Sequence, residues 1–251
     1  MKNIIKIILV LILIASLGYC KKTEDNKPVN ETPAPVEAEP ISEEEPPTTK
    51  EIPNPSIPSP ATFKNIKEAK GDLDGDKEEE LVAVYDTKRE GDLGTEREIH
   101  IFKKEADKWN LLHKSIGAVL PSRNGGMMGD PFEDLTIENG TLVIRHFGGA
   151  REKWNYTHRY RFQEGNWFLI GATTNFFLIC EESSSYDYNL STGKVNVTET
   201  KEACDSEGNE KGKPKVTTSS FTLKDKKSIL MDGFSPGSME AKLSKNKSFY
   251  F

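Results

Sequence analysis

The chain has 251 residues, with 34 Lys and Arg against 40 Asp and Glu, a formal net charge of −6 and four histidines. No segment is strongly basic, so the electrostatic footprint of a nucleic-acid binder is missing and the composition argues against a nucleic-acid partner. The three cysteines, Cys20, Cys180 and Cys204, make an odd count, which leaves one thiol to be explained in an exported chain.

Residues 1–19 have the order of an export signal. Lys2 and Lys6 form a positive start, and Ile7 to Ala15 is an uninterrupted apolar run, extended by Ser16 and Leu17. That run has the length of a signal-peptide core and is too short for a spanning helix. Leu17-Gly18-Tyr19-Cys20 follows. It resembles the bacterial lipobox, in which Leu17 and Cys20 match and Tyr19 stands where a smaller residue is usual. The resemblance implies cleavage before Cys20, lipid on that cysteine, and a mature protein anchored to a membrane of the bacterial cell envelope, either periplasmic or surface-exposed. Several acyl chains hold a protein far better than one. The odd cysteine is then accounted for, and Cys180 and Cys204 remain as a pair for a disulfide in an oxidising compartment. They would close a loop of about 25 residues, worth roughly 3 kcal/mol in the chain-entropy view.

Residues 20–61 read as a tether. The stretch after Cys20 holds ten of the fourteen prolines, including Pro46-Pro47, and an acidic run at Glu43-Glu44-Glu45. With almost no large apolar residue it cannot bury enough surface to offset its ordering entropy. Proline and like charges extend it, which suits a spacer.

Residues 62–251 follow a two-residue period, as strands do. Leu81–Tyr85 is an apolar strand, Glu98–Phe102 alternates, and Trp109–Leu112 is another candidate. Leu135–Ile137 and Thr141–Arg145 flank Asn139-Gly140, the strongest short hairpin signal. Tyr156, His158, Tyr160 and Phe162 fall on one strand face, with Thr157, Arg159, Arg161 and Gln163 on the other. Glu164-Gly165-Asn166 turns into Trp167–Gly171. Tyr186–Leu190 and Lys194–Thr198 form a third hairpin, and Ser248–Phe251 reads as a last strand packing on the core. A short helix is expected between Lys226 and Met231. The fold class is therefore mostly β: antiparallel hairpins forming a sandwich or a partial propeller-like stack.

The sharpest chemical signal is Gly71-Asp72-Leu73-Asp74-Gly75-Asp76-Lys77-Glu78-Glu79-Glu80-Leu81. Alternate oxygen ligands in a tight loop converge on a hard cation, a later carboxylate closes the shell, and calcium takes about six to eight oxygens. The ligand set is Asp72, Asp74, Asp76, Glu78 through its backbone, and Glu80. The segment resembles the calcium loops of the FG-GAP repeats in integrin α-chain propellers and their bacterial relatives. Asp72, Asp74 and Asp76 match that pattern, Glu80 stands where Asp is usual and Lys77 where Gly is usual. The resemblance covers about 15 residues, occurs once, and implies a structural Ca2+ that pins a loop.

Gly125-Gly-Met-Met-Gly-Asp-Pro-Phe132, the hairpin after it and His146-Phe-Gly-Gly149 are similar to a pattern in a group of uncharacterised bacterial lipoproteins and periplasmic proteins. That resemblance spans 71 to about 171 and implies no activity. A structural loop packing Met127, Met128 and Phe132 is the expectation there. His100, His113, His146 and His158 form no metal-ligand spacing, and no nucleophile elbow occurs. Asp130 and Glu133 are the carboxylates for acid–base chemistry if the protein is an envelope hydrolase acting on wall or sugar substrates. Arg145, Arg151, Arg159 and Arg161, beside Trp154 and Tyr156, are a basic face for an anionic glycan or peptide. The expected function is a membrane-anchored envelope lipoprotein with a non-catalytic binding or structural β-domain, an unidentified protein or glycan partner, and one structural calcium site; the hydrolase is the alternative.

Overall fold

The computed structural model describes Pro60 and residues 62–251, apart from 179, 203, 205–210 and 225–227. The expected signal, Cys20 and almost all of the tether lie outside the described residues. Every regular element among the described residues is a β-strand.

The first four strands, β1 (Lys64–Gly71), β2 (Glu80–Gly91), β3 (Gly94–Glu105) and β4 (Lys108–Ile116), form one antiparallel sheet in chain order. The next seven form a second sheet, again in chain order: β5 (Phe132–Ile137), β6 (Leu142–Gly149), β7 (Glu152–Gln163), β8 (Asn166–Leu178), β9 (Glu182–Asn189), β10 (Lys194–Lys201) and β11 (Lys215–Thr222). A final hairpin pairs β12 (Glu240–Ser244) with β13 (Lys247–Tyr250). Sequential pairing follows from short connections between neighbours.

The turn chemistry explains the hairpins. Asn139 and Gly140 have φ of 51° and 69°, and Glu164 and Gly165 have 51° and 77°. Two successive positive φ values make the mirror-image turn whose twist matches the strands it joins. Glu138 and Thr141 exchange backbone hydrogen bonds across the first of these turns. Ala106 and Asp107 adopt the same geometry between β3 and β4 without a glycine, so that turn carries little sequence signal.

The two sheets and the terminal hairpin share one core. Val82, Val84, Ile99 and Ile101 from the first sheet pack with Leu135, Leu142, Ile144, Tyr160, Trp167, Tyr188 and Val197 of the second. The antiparallel sheets are packed together around one core. Along β7, Tyr156, His158 and Tyr160 are buried while Arg161 is exposed, as the alternation requires. Phe249 stacks on Tyr186 at 4.6 Å and Phe251 meets Tyr188 edge-on at 5.4 Å. The C-terminal aromatics thus close the core as a last strand.

Two expectations are corrected. The helix expected at 226–231 is absent over its described part, 228–231. There Leu169 donates to the Ile229 carbonyl and Met231 donates to the Trp167 carbonyl. Ile229 and Met231 are buried, so pairing along β8 while filling the core outweighs local helix propensity. Met127 and Met128 are not packed: Met127 is 85 % exposed and Met128 45 %. They occupy the middle of a tight turn in which Gly129 donates to Gly126, and only Phe132 of the three joins the core.

Cys180 and Cys204 are joined as a disulfide with Cα atoms 5.3 Å apart, tying the end of β8 to the segment that follows β10.

Candidate metal loop

The acidic segment is the connection between β1 and β2, and its ends are set by pairing. Gly71 is opposite Glu80 in the β1–β2 register. A side chain at Gly71 would bring its Cβ within 2.8 Å of Ile137, so glycine permits this close approach to β5. Within the loop, the aspartates organise the backbone before any ion is considered. Asp72 accepts from the Gly75 and Lys77 amides at 2.7 and 3.0 Å, Asp74 from Asp76 at 3.3 Å, and Asp76 from Glu78 at 2.8 Å. Short acidic side chains hold such turns by capturing backbone amides a few residues on. Gly75 has φ 85° and Lys77 has φ 74°. The residue standing where glycine is usual therefore still adopts the left-handed conformation the turn needs, at a cost of about 1 kcal/mol.

Glu80 opens β2 and is fully buried. Its Oε2 accepts from the Leu73 amide at 2.8 Å. Its Oε1 is buried and makes no hydrogen bond. Oxygens of Asp72, Asp74 and Glu80 lie within 4.8 Å of one another, a spread that oxygens on a common cation at about 2.3–2.6 Å can have. Burial pushes the Glu80 carboxyl above its usual range, with the Leu73 amide opposing and Asp74 adding to the rise. A carboxylate placed out of water without a full set of partners is costly unless a cation compensates.

One compensating cation comes from the chain. The Lys103 ammonium, on β3, donates to Asp74 at 2.5 Å and Asp76 at 2.6 Å and lies 3.7 Å from Glu80 Oε1. Hydrogen bonds from Lys103 hold the Asp76 carboxyl below its usual range. Of the expected ligand set, the structure brings Asp72, Asp74 and Glu80 together and sets Asp76 beside them through Lys103. The Glu78 side chain is exposed and its amide serves Asp76. Lys103 escaped the sequence reading, although the alternation of Glu98–Phe102, continued one residue, puts it on the face of Ile99 and Ile101.

No protein-family model, curated protein or solved structure matches this chain. The loop is therefore read from its own geometry.

The other candidates are engaged elsewhere. Asp130 is held by both terminal nitrogens of Arg97, at 2.7 and 2.6 Å. Burial raises its carboxyl, but Arg97 and the Phe132 amide outweigh that and leave it lowered. Such a group is a poor general acid. Glu133 is exposed. Arg145 pairs with Glu138 at 2.6 Å, Arg151 with Glu181, and Arg159 with Thr173 at 3.0 Å. Trp154 and Tyr156 stack on each other at 4.8 Å and, by alternation along β7, lie on the opposite face from Arg159 and Arg161. The four arginines and the aromatic pair therefore do not form one basic aromatic face. A second group of metal-ligand atoms, Cys180, Glu202 and Cys204, is committed to the disulfide, with Glu202 accepting from the Cys180 amide at 2.9 Å.

His146 and His158 are fully buried in the larger sheet. His146 accepts from the Leu120 amide at 3.2 Å. Burial pushes its pKa down to about 3, and burial likewise takes His158 well below the usual histidine value. Both are neutral core groups.

Proposed function

We propose that the chain is a lipid-anchored protein of the bacterial envelope whose β-domain is a non-catalytic binding or structural module braced by one calcium ion at residues 72–80. The observation that supports the metal is the buried Glu80 Oε1, without a hydrogen bond, on a residue that brings a carboxylate oxygen within 4.8 Å of oxygens of Asp72 and Asp74. Asp72, Asp74 and Glu80 would hold the ion, with Asp76 beside them. Bound there, calcium would supply charge compensation and tie the β1–β2 connection to the start of β2, where Glu80 stands. Binding to the folded state alone raises stability by linkage.

The anchor rests on the positive start, the apolar run and Cys20. Labelled palmitate is expected on the wild-type chain and not on Cys20→Ala; label retained by the variant would remove the anchor from the proposal. The metal is tested on the full chain in detergent, melted in calcium and then in excess chelator. A rise of several degrees in calcium is expected, and none in Asp74→Ala. Equal melting in both conditions for the wild type would reduce the loop to a self-neutralised turn.

A further inference from the structure

The loop of the proposed calcium site already contains a cation. Lys103 Nζ touches Asp74 and Asp76 and is 3.7 Å from the buried Glu80 oxygen. A calcium ion at about 2.3–2.6 Å from the same oxygens would lie within a few ångströms of that ammonium. Two cations so close, sharing Asp74 and Glu80, repel strongly in a partly dehydrated site. Occupation is therefore exclusive: metal in requires ammonium out.

The exchange is sterically available. Lys103 stands near the end of β3, next to the exposed Lys104 and Glu105, and its side chain is about a quarter exposed. A four-carbon stem can swing such a head into water at little cost.

We infer that Lys103 is a tethered competitor for the metal: its ammonium neutralises the acidic loop when calcium is scarce and must be displaced when calcium binds. This rests on the calcium reading above and adds its regulation. The lysine keeps the metal-free loop folded and sets the calcium concentration at which the site fills. Affinity falls by the factor with which the lysine-bound arrangement is preferred over the open one.

The test is calorimetric titration of the full chain with calcium chloride, with thermal melts in chelator. Lys103→Met keeps the stem and removes the charge. It is expected to bind calcium about tenfold or more tightly than the wild type, to melt several degrees lower in chelator, and to show a larger calcium-induced rise. Lys104→Met, whose lysine pairs with Asp107 at 3.1 Å, is expected to behave as the wild type. If Lys103→Met loses its strand signal in circular dichroism, Lys103→Gln, which retains a donor, replaces it. Wild-type binding with no gain in the Lys103 variants overturns the competitor and leaves the calcium reading standing. Silence in the wild type with binding in Lys103→Met supports the competitor and overturns calcium in the native chain. Silence in both overturns both.

Discussion

Both sheets bury neutral polar groups, Trp109 and Ser115 in the smaller one among them, but among the described residues the buried charges Glu80, Arg97 and Glu98 all belong to the smaller sheet. The four-stranded sheet buries charge and neutralises it. Along β3, Arg97 is nearly inaccessible and binds Asp86 at 2.9 Å and Asp130 through two bonds, while Glu98 lies 2.9 Å from His100 and accepts from Arg89 at 2.7 Å. Lys103 and Glu80 continue the pattern at the loop. The seven-stranded sheet instead buries neutral groups. His146, His158, Tyr160, Thr174 and Trp167 all carry buried polar atoms without a hydrogen bond, and the two histidines are held neutral. The difference teaches which agent each half answers to. A buried ionic group responds to its counter-ion, so under the calcium proposal the smaller sheet is the half expected to answer to metal. A buried neutral base responds to protons, so the larger sheet is the half sensitive to acid.

Removing a counter-ion breaks this comparison most sharply. Arg97→Met strands Asp86 and Asp130. Since Asp130 is about half exposed, the loss should fall near the low end for a broken buried pair, about 3 kcal/mol, read from denaturant midpoints. A loss below about 1 kcal/mol would mean that the pairs at β3 contribute no more than surface ones.

Acid tests the other half. The folded pKa of His146 is about 3 against 6.5 for the ordinary side chain. A depressed base binds more protons unfolded than folded, so stability is intact above the ordinary value and is lost as pH falls below it. At pH 5 the loss is about 2 kcal/mol for His146 alone, and His158 adds to it in the same direction. His158→Leu forfeits no hydrogen bond and should flatten the slope between pH 6.5 and 5. An unchanged slope would place the acid sensitivity outside the larger sheet.

Glu80→Gln sharpens the contrast at the loop, where the sign is reversed. A carboxyl raised by burial favours the fold below the ordinary carboxylate range, and that contribution is lost as pH rises through its folded value. At neutral pH in chelator the variant should therefore melt slightly higher than the wild type, and in calcium it should show no rise. A variant that melts lower in chelator would mean that the Lys103–Glu80 attraction outweighs the burial of the charge. The smallest effect is expected for Lys77→Gly. Relief of the left-handed strain, about 1 kcal/mol, is partly offset by glycine's unfolded freedom. A net gain of a few tenths of a kcal/mol in the denaturant midpoint is the expected result, and a loss would show that the lysine side chain stabilises the turn.

Much of the fold was legible locally. Asn139-Gly140 and Glu164-Gly165 marked their hairpins because few residues tolerate two positive φ values in succession. The alternation of Tyr156, His158, Tyr160 and Phe162 gave the inward face of β7. Strands without an apolar rhythm were missed. In β1 only Ile66, Ala69 and Gly71 are even half-buried, and β11 is largely exposed; both are strands because β2 and β10 offer them a ladder. Met127 and Met128 misled because apolar character argues for burial, whereas the turn through Gly126 and Gly129 fixes them outward.

The sequence by itself determined the β class, the main hairpin turns, the C-terminal aromatic strand and the acidic loop with its ligand types. These depend on φ preferences, side-chain period and local hydrogen bonding, all of which act within a few residues. The cysteine count also named the Cys180–Cys204 pair, which the structure joins. Only the tertiary structure decided that Lys103 enters the loop and that Arg97 takes Asp130 out of play. Each joins residues at least 23 positions apart, and their proximity depends on strand register and sheet packing, which no local signal encodes.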